Sequence, residues 1–167
     1  MLPVLATFFN VSIDKLLNFK VDLSDEEVMK IFSECEAIFS KGDLYEAINK
    51  SKEYVLKYPT SYYLKLRIGF LFNVYSWKEN NEKKRMDIIA FSIKLFEDVA
   101  KNCTEIKIVD QALFQLGALY QVIEEEDKAI EALNKISKSE LETDIVLAGI
   151  YIKKNKFKKA RELLQTK

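Results

Sequence analysis

The sequence predicts an all-α fold, a right-handed α-solenoid of about four antiparallel helix pairs with a short N-terminal helical cap. Three observations carry that expectation. The first is a recurring phrase. Ala129-Ile130-Glu131-Ala132-Leu133-Asn134-Lys135-Ile136 has the plan of Ser92-Ile93-Lys94-Leu95-Phe96-Glu97-Asp98-Val99. Ala47-Ile48-Asn49-Lys50-Ser51-Lys52-Glu53-Tyr54 keeps the small-then-apolar opening, and Ala160-Arg161-Glu162-Leu163-Leu164 repeats it in short form. Each copy sets an apolar residue four or seven places after the small one, except at Ser51, and that spacing stacks them on one helix face. The second observation is punctuation: four Gly and two Pro in 167 residues suit long helices with short connections, and supply too few tight turns for a sheet protein. The third is composition. With 49% apolar and 12% aromatic residues the chain has the material for one buried core, which excludes intrinsic disorder.

The elements follow in order. Ser24-Asp25-Glu26-Glu27 is a capping box, and Val28, Ile31, Phe32, Cys35, Ile38 and Phe39 then keep helical spacing as far as Lys41-Gly42-Asp43. A second helix runs from about Leu44 to Tyr58 and stops at Pro59, which denies the helical region to the residue before it. The next pair is roughly 61–77 and 85–101, joined by the polar stretch 78–84, expected to be mobile because it has no apolar anchor. The third pair spans 107–123 and 127–137, and the fourth 143–154 and 156–165. The acidic run Glu124-Glu125-Glu126-Asp127 lacks the interleaved spacing of a calcium loop. It is expected to turn the chain and to place negative charge at the start of the next helix.

Charge is balanced overall and uneven along the chain. Residues 1–60 carry 7 Lys against 10 acidic groups, residues 61–149 carry 12 basic against 15 acidic, and the last eighteen carry 7 basic against Glu162 alone. The basic end around Lys153–Lys159 reads either as a phosphate patch or as the solvated face of a terminal helix pair, since Ile150, Tyr151, Phe157, Ala160, Leu163 and Leu164 keep a helical apolar spacing through it. No apolar run reaches the roughly 18–20 residues of a membrane span, and no basic segment opens a leader, so a cytoplasmic chain with no membrane partner is expected. Cys35 and Cys103 lie far apart in helical patterns and read as buried thiols.

The small residues opening the second helices set a period of 45, 37 and 31 residues from Ala47 to Ser92 to Ala129 to Ala160. Residues 25–165 therefore resemble tetratricopeptide-type (TPR) repeats, whose unit is about 34 residues. The resemblance rests on Gly117, Tyr120 and Ala129 with Leu113, Leu116, Leu133 and Ile136 in the third pair, and on Ala148, Tyr151 and Ala160 in the fourth. Cys35, Ile38, Gly42, Ala47 and Pro59 carry it in the first pair, and Gly69, Phe72, Ser92 and Phe96 in the second, whereas the signature tryptophan of such repeats is missing from all four. A generic antiparallel helical bundle is the alternative.

The beginning has a different character. Residues 2–17 read as a short apolar helix with Pro3 in its first turn and Asn10 as a left-handed stop, followed by a second short helix capped by Ser12. The phrase Phe9-Asn10-Val11-Ser12-Ile13-Asp14-Lys15-Leu16-Leu17 resembles the closing segment of Cro- and repressor-type (XRE) helix-turn-helix domains. That resemblance implies a division into a helix-turn-helix remnant and linker over 1–22 and a helical repeat domain over 23–167, with the DNA-reading helices absent. The alternative is an ordinary helical cap on the repeat stack.

Catalytic chemistry finds little material. The chain has no histidine, which removes the usual general base, the Ser-His and Cys-His pairs and most zinc sites. No glycine-rich phosphate loop occurs, and neighbouring carboxylates such as Glu97 and Asp98 diverge around a helix. No enzyme activity, cofactor or metal site is expected. The resemblance to TPR stacks implies instead a concave groove lined by the first helices, here Tyr63, Phe70, Asn73, Trp77, Gln111, Phe114, Ala118 and Gln121. Amides can meet a peptide backbone while rings supply apolar contact, although Phe70 and Phe114 also suit a core, and Asn73, Gln111 and Gln121 also suit plain solvation. The expected function is a sensor and protein- or peptide-binding domain of a bacterial transcriptional regulator, reaching DNA only through an absent N-terminal domain. A free-standing scaffold or homodimerisation domain is the rival.

Overall fold

In the computed structural model eight α-helices make up most of the described residues, which are 23–137 and 141–165 together with Val4, Thr7 and Phe8, and no strand occurs among them. The helices are α1 (Asp25–Lys41), α2 (Leu44–Lys57), α3 (Tyr62–Tyr75), α4 (Glu82–Asn102), α5 (Ile106–Val122), α6 (Glu126–Asn134), α7 (Leu141–Lys153) and α8 (Phe157–Gln165). The all-α expectation stands. The cap and helix-turn-helix reading of residues 1–22 lies outside the described residues, save for Val4, Thr7 and Phe8. No helix among the described residues is long and apolar enough to cross a membrane.

Local sequence sets the helix starts. The Ser24 Oγ accepts from the Glu27 N–H at 3.3 Å while the Ser24 N–H donates to Glu27 Oε2 at 2.9 Å, closing the capping box in both directions. Asp43 Oδ1 accepts from the Tyr45 and Glu46 N–H groups at 2.8 and 3.0 Å, so α2 begins soon after α1 ends. The turns before α6 and α8 share one geometry. Glu124 and Asn155 both lie at left-handed φ, 61° and 57°, and the next amide in each reaches back to Tyr120 O or Tyr151 O at 2.8 Å.

Side-chain pairs fix how the helices run. Between α3 and α4, Lys65 meets Asp98, Gly69 meets Ser92 and Phe96, and Phe72 meets Phe91, so the two are antiparallel. Asp110 with Ser137 and Gly117 with Leu133 give the same sense to α5 and α6. Between α1 and α3 the order is instead parallel: Met29 with Tyr63, Phe32 with Arg67, Phe39 with Tyr75. The helix α3 therefore sits inside the array, touching α1, α2, α4 and α5, and is apolar around most of its circumference.

The recurring small residue marks a close approach. Ala47, Ser92, Ala129 and Ala160 are all buried. Four places after it, Phe96 or Leu133 fills the hollow over Gly69 or Gly117, so tightly that a Cβ there would lie 2.8 Å from Phe96 Cε1 or 2.5 Å from Leu133 Cγ. In the first pair Cys35 and Ser51 occupy the equivalent places, both fully buried, which explains why the apolar pattern lapses at Ser51. The two small-to-medium side chains divide the space that elsewhere goes to glycine and a large residue. Burial pushes the Cys35 thiol up from its ordinary value, with the neighbouring Ser51 hydroxyl offsetting part of the rise.

One expectation about the fold fails. Residues 78–84 are not an unanchored connection. Ser76–Lys78 form a 3₁₀ turn, only residues 79–81 link it to α4, and the segment is tied back to the first pair. The Lys78 ammonium donates to Phe39 O at 2.6 Å and Ser40 O at 3.2 Å, which are carbonyls at the end of α1. Glu79 accepts from the Tyr45 hydroxyl, Asn81 Oδ1 caps α4 by accepting from the Lys84 N–H at 3.0 Å, and Lys84 lies over the Tyr45 ring. A polar stretch with no apolar anchor is held by charge, capping and aromatic contact instead.

Candidate functional site

A cleft of about 970 Å³ opens along α3 and α5 and reaches the start of α7. Its apolar wall is Leu66 and Phe70 from α3 with Ile106 and Phe114 from α5, and Phe70 and Ile106 are exposed there while Phe114 also packs against the core. Helical spacing accounts for the wall: Leu66 and Phe70 are four apart, and so are Lys107 and Gln111, Gln111 and Gln115, and Asp110 and Phe114. Polar groups from the same helices rim it. Gln111 is exposed, Gln115 accepts from the Asn73 amide at 3.3 Å, and Asp110 accepts from the Ser137 N–H at 3.0 Å and from its hydroxyl.

Of the residues expected on the concave face, Phe70, Gln111 and Phe114 line this cleft and Tyr63, Asn73, Trp77, Ala118 and Gln121 do not. Tyr63 accepts from Arg67 Nη2 at 2.8 Å and reaches the Met29 sulfur at 3.5 Å, so it packs between α1 and α3. The Asn73 amide is spent on Gln115, and Gln121 Nε2 donates to Gly117 O of its own helix at 3.2 Å. Trp77 lies beyond the end of α3 in the 3₁₀ turn, 63% exposed, with the Arg85 guanidinium 5.2 Å from its ring. Helix position predicts which way these side chains leave the backbone, but not which neighbour engages them first.

Sequence reasoning passes over Arg67, Ile106, Lys107 and Asp110. Arg67 carries a signal: with Lys65 it is one of two charged residues in the apolar run of α3. Lys65 is accounted for by Asp98, whose carboxyl is pushed up by burial but more strongly held below its ordinary value by bonds from Lys65 and Asn102. Arg67 has no such partner among the described residues. Its guanidinium lies 5.0 Å from the Tyr63 ring and 5.7 Å from Phe32, one nitrogen bonds Tyr63, and Nε is buried with no hydrogen-bond acceptor.

No group of three or more metal-ligating side chains comes together among the described residues. Besides Tyr45, two tyrosines are bound to carboxylates away from the cleft. The Tyr54 hydroxyl donates to Glu34 at 2.8 Å and its pKa is pushed up to about 12 by that bond, while Tyr120 donates to Glu97 at 2.6 Å and is raised mainly by burial. Each joins the two helices of one pair or of adjoining pairs. Compared with protein-family models, curated proteins and solved structures, the chain matches none.

Proposed function

We propose that this chain is a regulatory, protein-interaction domain built as a TPR-like right-handed solenoid, and that it receives a peptide or protein segment in the cleft of α3, α5 and α7. The observation that carries the reading is the cleft itself, a surface where the Phe70 ring of α3 meets the Phe114 ring and the Gln111 and Gln115 amides of α5. The close approach at Gly69 and again at Gly117 supports the repeat architecture, because in both pairs a glycine lies under the large residue four places after the small one. The Phe9–Leu17 phrase supports attachment to a helix-turn-helix DNA reader of bacterial repressor type. A DNA role then belongs to that reader, and the ligand in the cleft is the signal.

The test is selection of displayed dodecapeptides on the whole chain, followed by hydrogen exchange with and without the selected peptide. Slowed exchange is expected in α3, α5 and the start of α7. Protection confined to α2, α4 and α6 would sink the cleft assignment. The scaffold or dimer reading has its own support in the last pair, where Ile145, Ile152, Phe157 and Leu164 are at least half exposed. Sedimentation equilibrium decides between them: a monomer across the micromolar range removes the dimer reading.

A further inference from the structure

We infer that the cleft selects an acidic protein segment and seats one of its side-chain carboxylates on the guanidinium of Arg67, an assignment that rests on the docking reading of the same cleft. A guanidinium has five N–H donors, and of these Arg67 uses one, on the Tyr63 hydroxyl. Its Nε is shielded from solvent without an acceptor, and no carboxylate of the described residues pairs with it. A charge so placed has lost part of its hydration and gained two ring faces and one neutral hydroxyl in return. The Nη donors that Tyr63 leaves unused can meet a planar anion, as a carboxylate is.

The surroundings favour the same occupant. Lys107 lines the cleft and adds a second positive charge. The carboxylate among the described lining residues, Asp110, already takes two hydrogen bonds from Ser137 and is turned to that task. Beside the charges stand Phe70, Phe114 and Ile106, so the fitting segment alternates an acidic residue with apolar ones. The rings of Phe32 and Tyr63 hold the guanidinium in place before any ligand arrives, which lowers the ordering cost of binding.

The experiment uses the whole chain and hexapeptide libraries that are N-acetylated and C-amidated, in which each Asp or Glu is compared with Asn or Gln. Acidic, partly apolar peptides are expected to bind at least about tenfold more tightly than their amide counterparts, a preference that shrinks as salt is raised. Arg67→Met keeps the aliphatic stem against Phe32 and Tyr63 and should erase the preference. Arg67→Lys keeps the charge without the fork and should retain only part of it. If Arg67→Met does not fold, Arg67→Lys beside Lys107→Met still decides: the larger loss of preference must fall on the Arg67 variant, and a larger loss at Lys107 overturns the assignment. Equal binding of both sets, with exchange protection on α3 and α5, would overturn the carboxylate assignment and leave the docking reading standing. Binding that needs a free C-terminal carboxylate would also overturn it, by giving the fork to a chain end. Failure of every peptide to protect the cleft would remove both readings.

Discussion

In the α3–α4 pair the hollow over Gly69 is filled by the ring of Phe96, whereas in the α5–α6 pair the hollow over Gly117 is filled by the isobutyl group of Leu133. The α3–α4 pair adds a polar tie, the Ser92 hydroxyl donating to Gly69 O at 2.7 Å, where the other has the methyl of Ala129. Their lengths differ as much as their contents: α4 has 21 residues and α6 has 9. The extra turns of α4 extend toward the first pair, where Lys84 meets Tyr45. What the two pairs share is one contact of a glycine with a large side chain, four residues beyond a small one. The two pairs are alike in that contact, and helix length varies around it.

The comparison breaks most visibly if the large residue is removed. Phe96→Ala should cost roughly 3–5 kcal/mol and Leu133→Ala roughly 2–5 kcal/mol, the range for deleting buried side chains of these sizes. Phe96 is fully buried and joins α3 to α4, so its loss should also loosen the long α4. Urea unfolding followed by circular dichroism gives both numbers. A loss below about 1 kcal/mol at either site would mean the hollow collapses freely, against close packing in that pair.

Next in size is the glycine itself. Gly117→Ala should cost about 1–3 kcal/mol as an overpacking change, because the added Cβ would lie 2.5 Å from Leu133 Cγ, a branch carbon with little room to swing. Gly69→Ala meets ring-edge atoms at 2.8 Å and should cost somewhat less if the Phe96 ring can tilt. Combining Gly117→Ala with Leu133→Ala sharpens the test, since the alanine methyl then enters space the leucine has left. The double variant should be more stable than the sum of the single losses implies.

Much of this frame is legible in the sequence because its causes are local. The capping box at Ser24 and Glu27, the Asp43 cap and the stop before Pro59 are decided within four residues, and the helix starts follow them. The small-residue period is equally legible, since a close approach between helices leaves a residue-size record at each site. The anchoring of segment 78–84 is not, because its partners, Phe39 O and Tyr45, are more than thirty residues away and polar. The site is legible in part. Helix position puts Phe70, Gln111 and Phe114 on one face, but the Asn73 amide meets Gln115, forty-two residues away, and Gln121 turns back to Gly117 O of its own helix. Arg67 is neither ring nor amide, and a cation that meets no carboxylate among the described residues leaves no mark in the spacing.

The Lys65–Asp98 bridge offers a smaller, pH-dependent contrast, since the described residues of α5 and α6 have no equivalent buried lysine pair. Asp98 is held below its ordinary value of 3.8 in the folded chain, so its contribution is present above that value and is lost as pH falls through the lower, folded one. Melting temperature should therefore decline more steeply below about pH 4 in the parent than in Asp98→Asn, which has already lost the charge. Identical acid slopes for the two would show that other carboxylates control the decline.

The smallest expected effect has the opposite sign. Gly149 lies inside α7, exposed, and a Cβ there would meet nothing within 4 Å. It follows Ala148, the residue in the register of Gly69 and Gly117, so two adjacent positions separate the uses of a small residue: one is buried, and the next faces open space. Gly149→Ala should stabilise the chain by about 0.5–1 kcal/mol, because alanine gives up less backbone freedom on entering a helix. The sign matters more than the size. Chemical denaturation at two protein concentrations is the measurement, with Gly117→Ala beside it as the control that loses stability. A concentration-independent gain confirms that this face of α7 is open in the isolated chain. A loss that grows as the protein is concentrated would mean that a second copy of the chain lies against Gly149, and the dimer reading would then displace the monomeric docking domain.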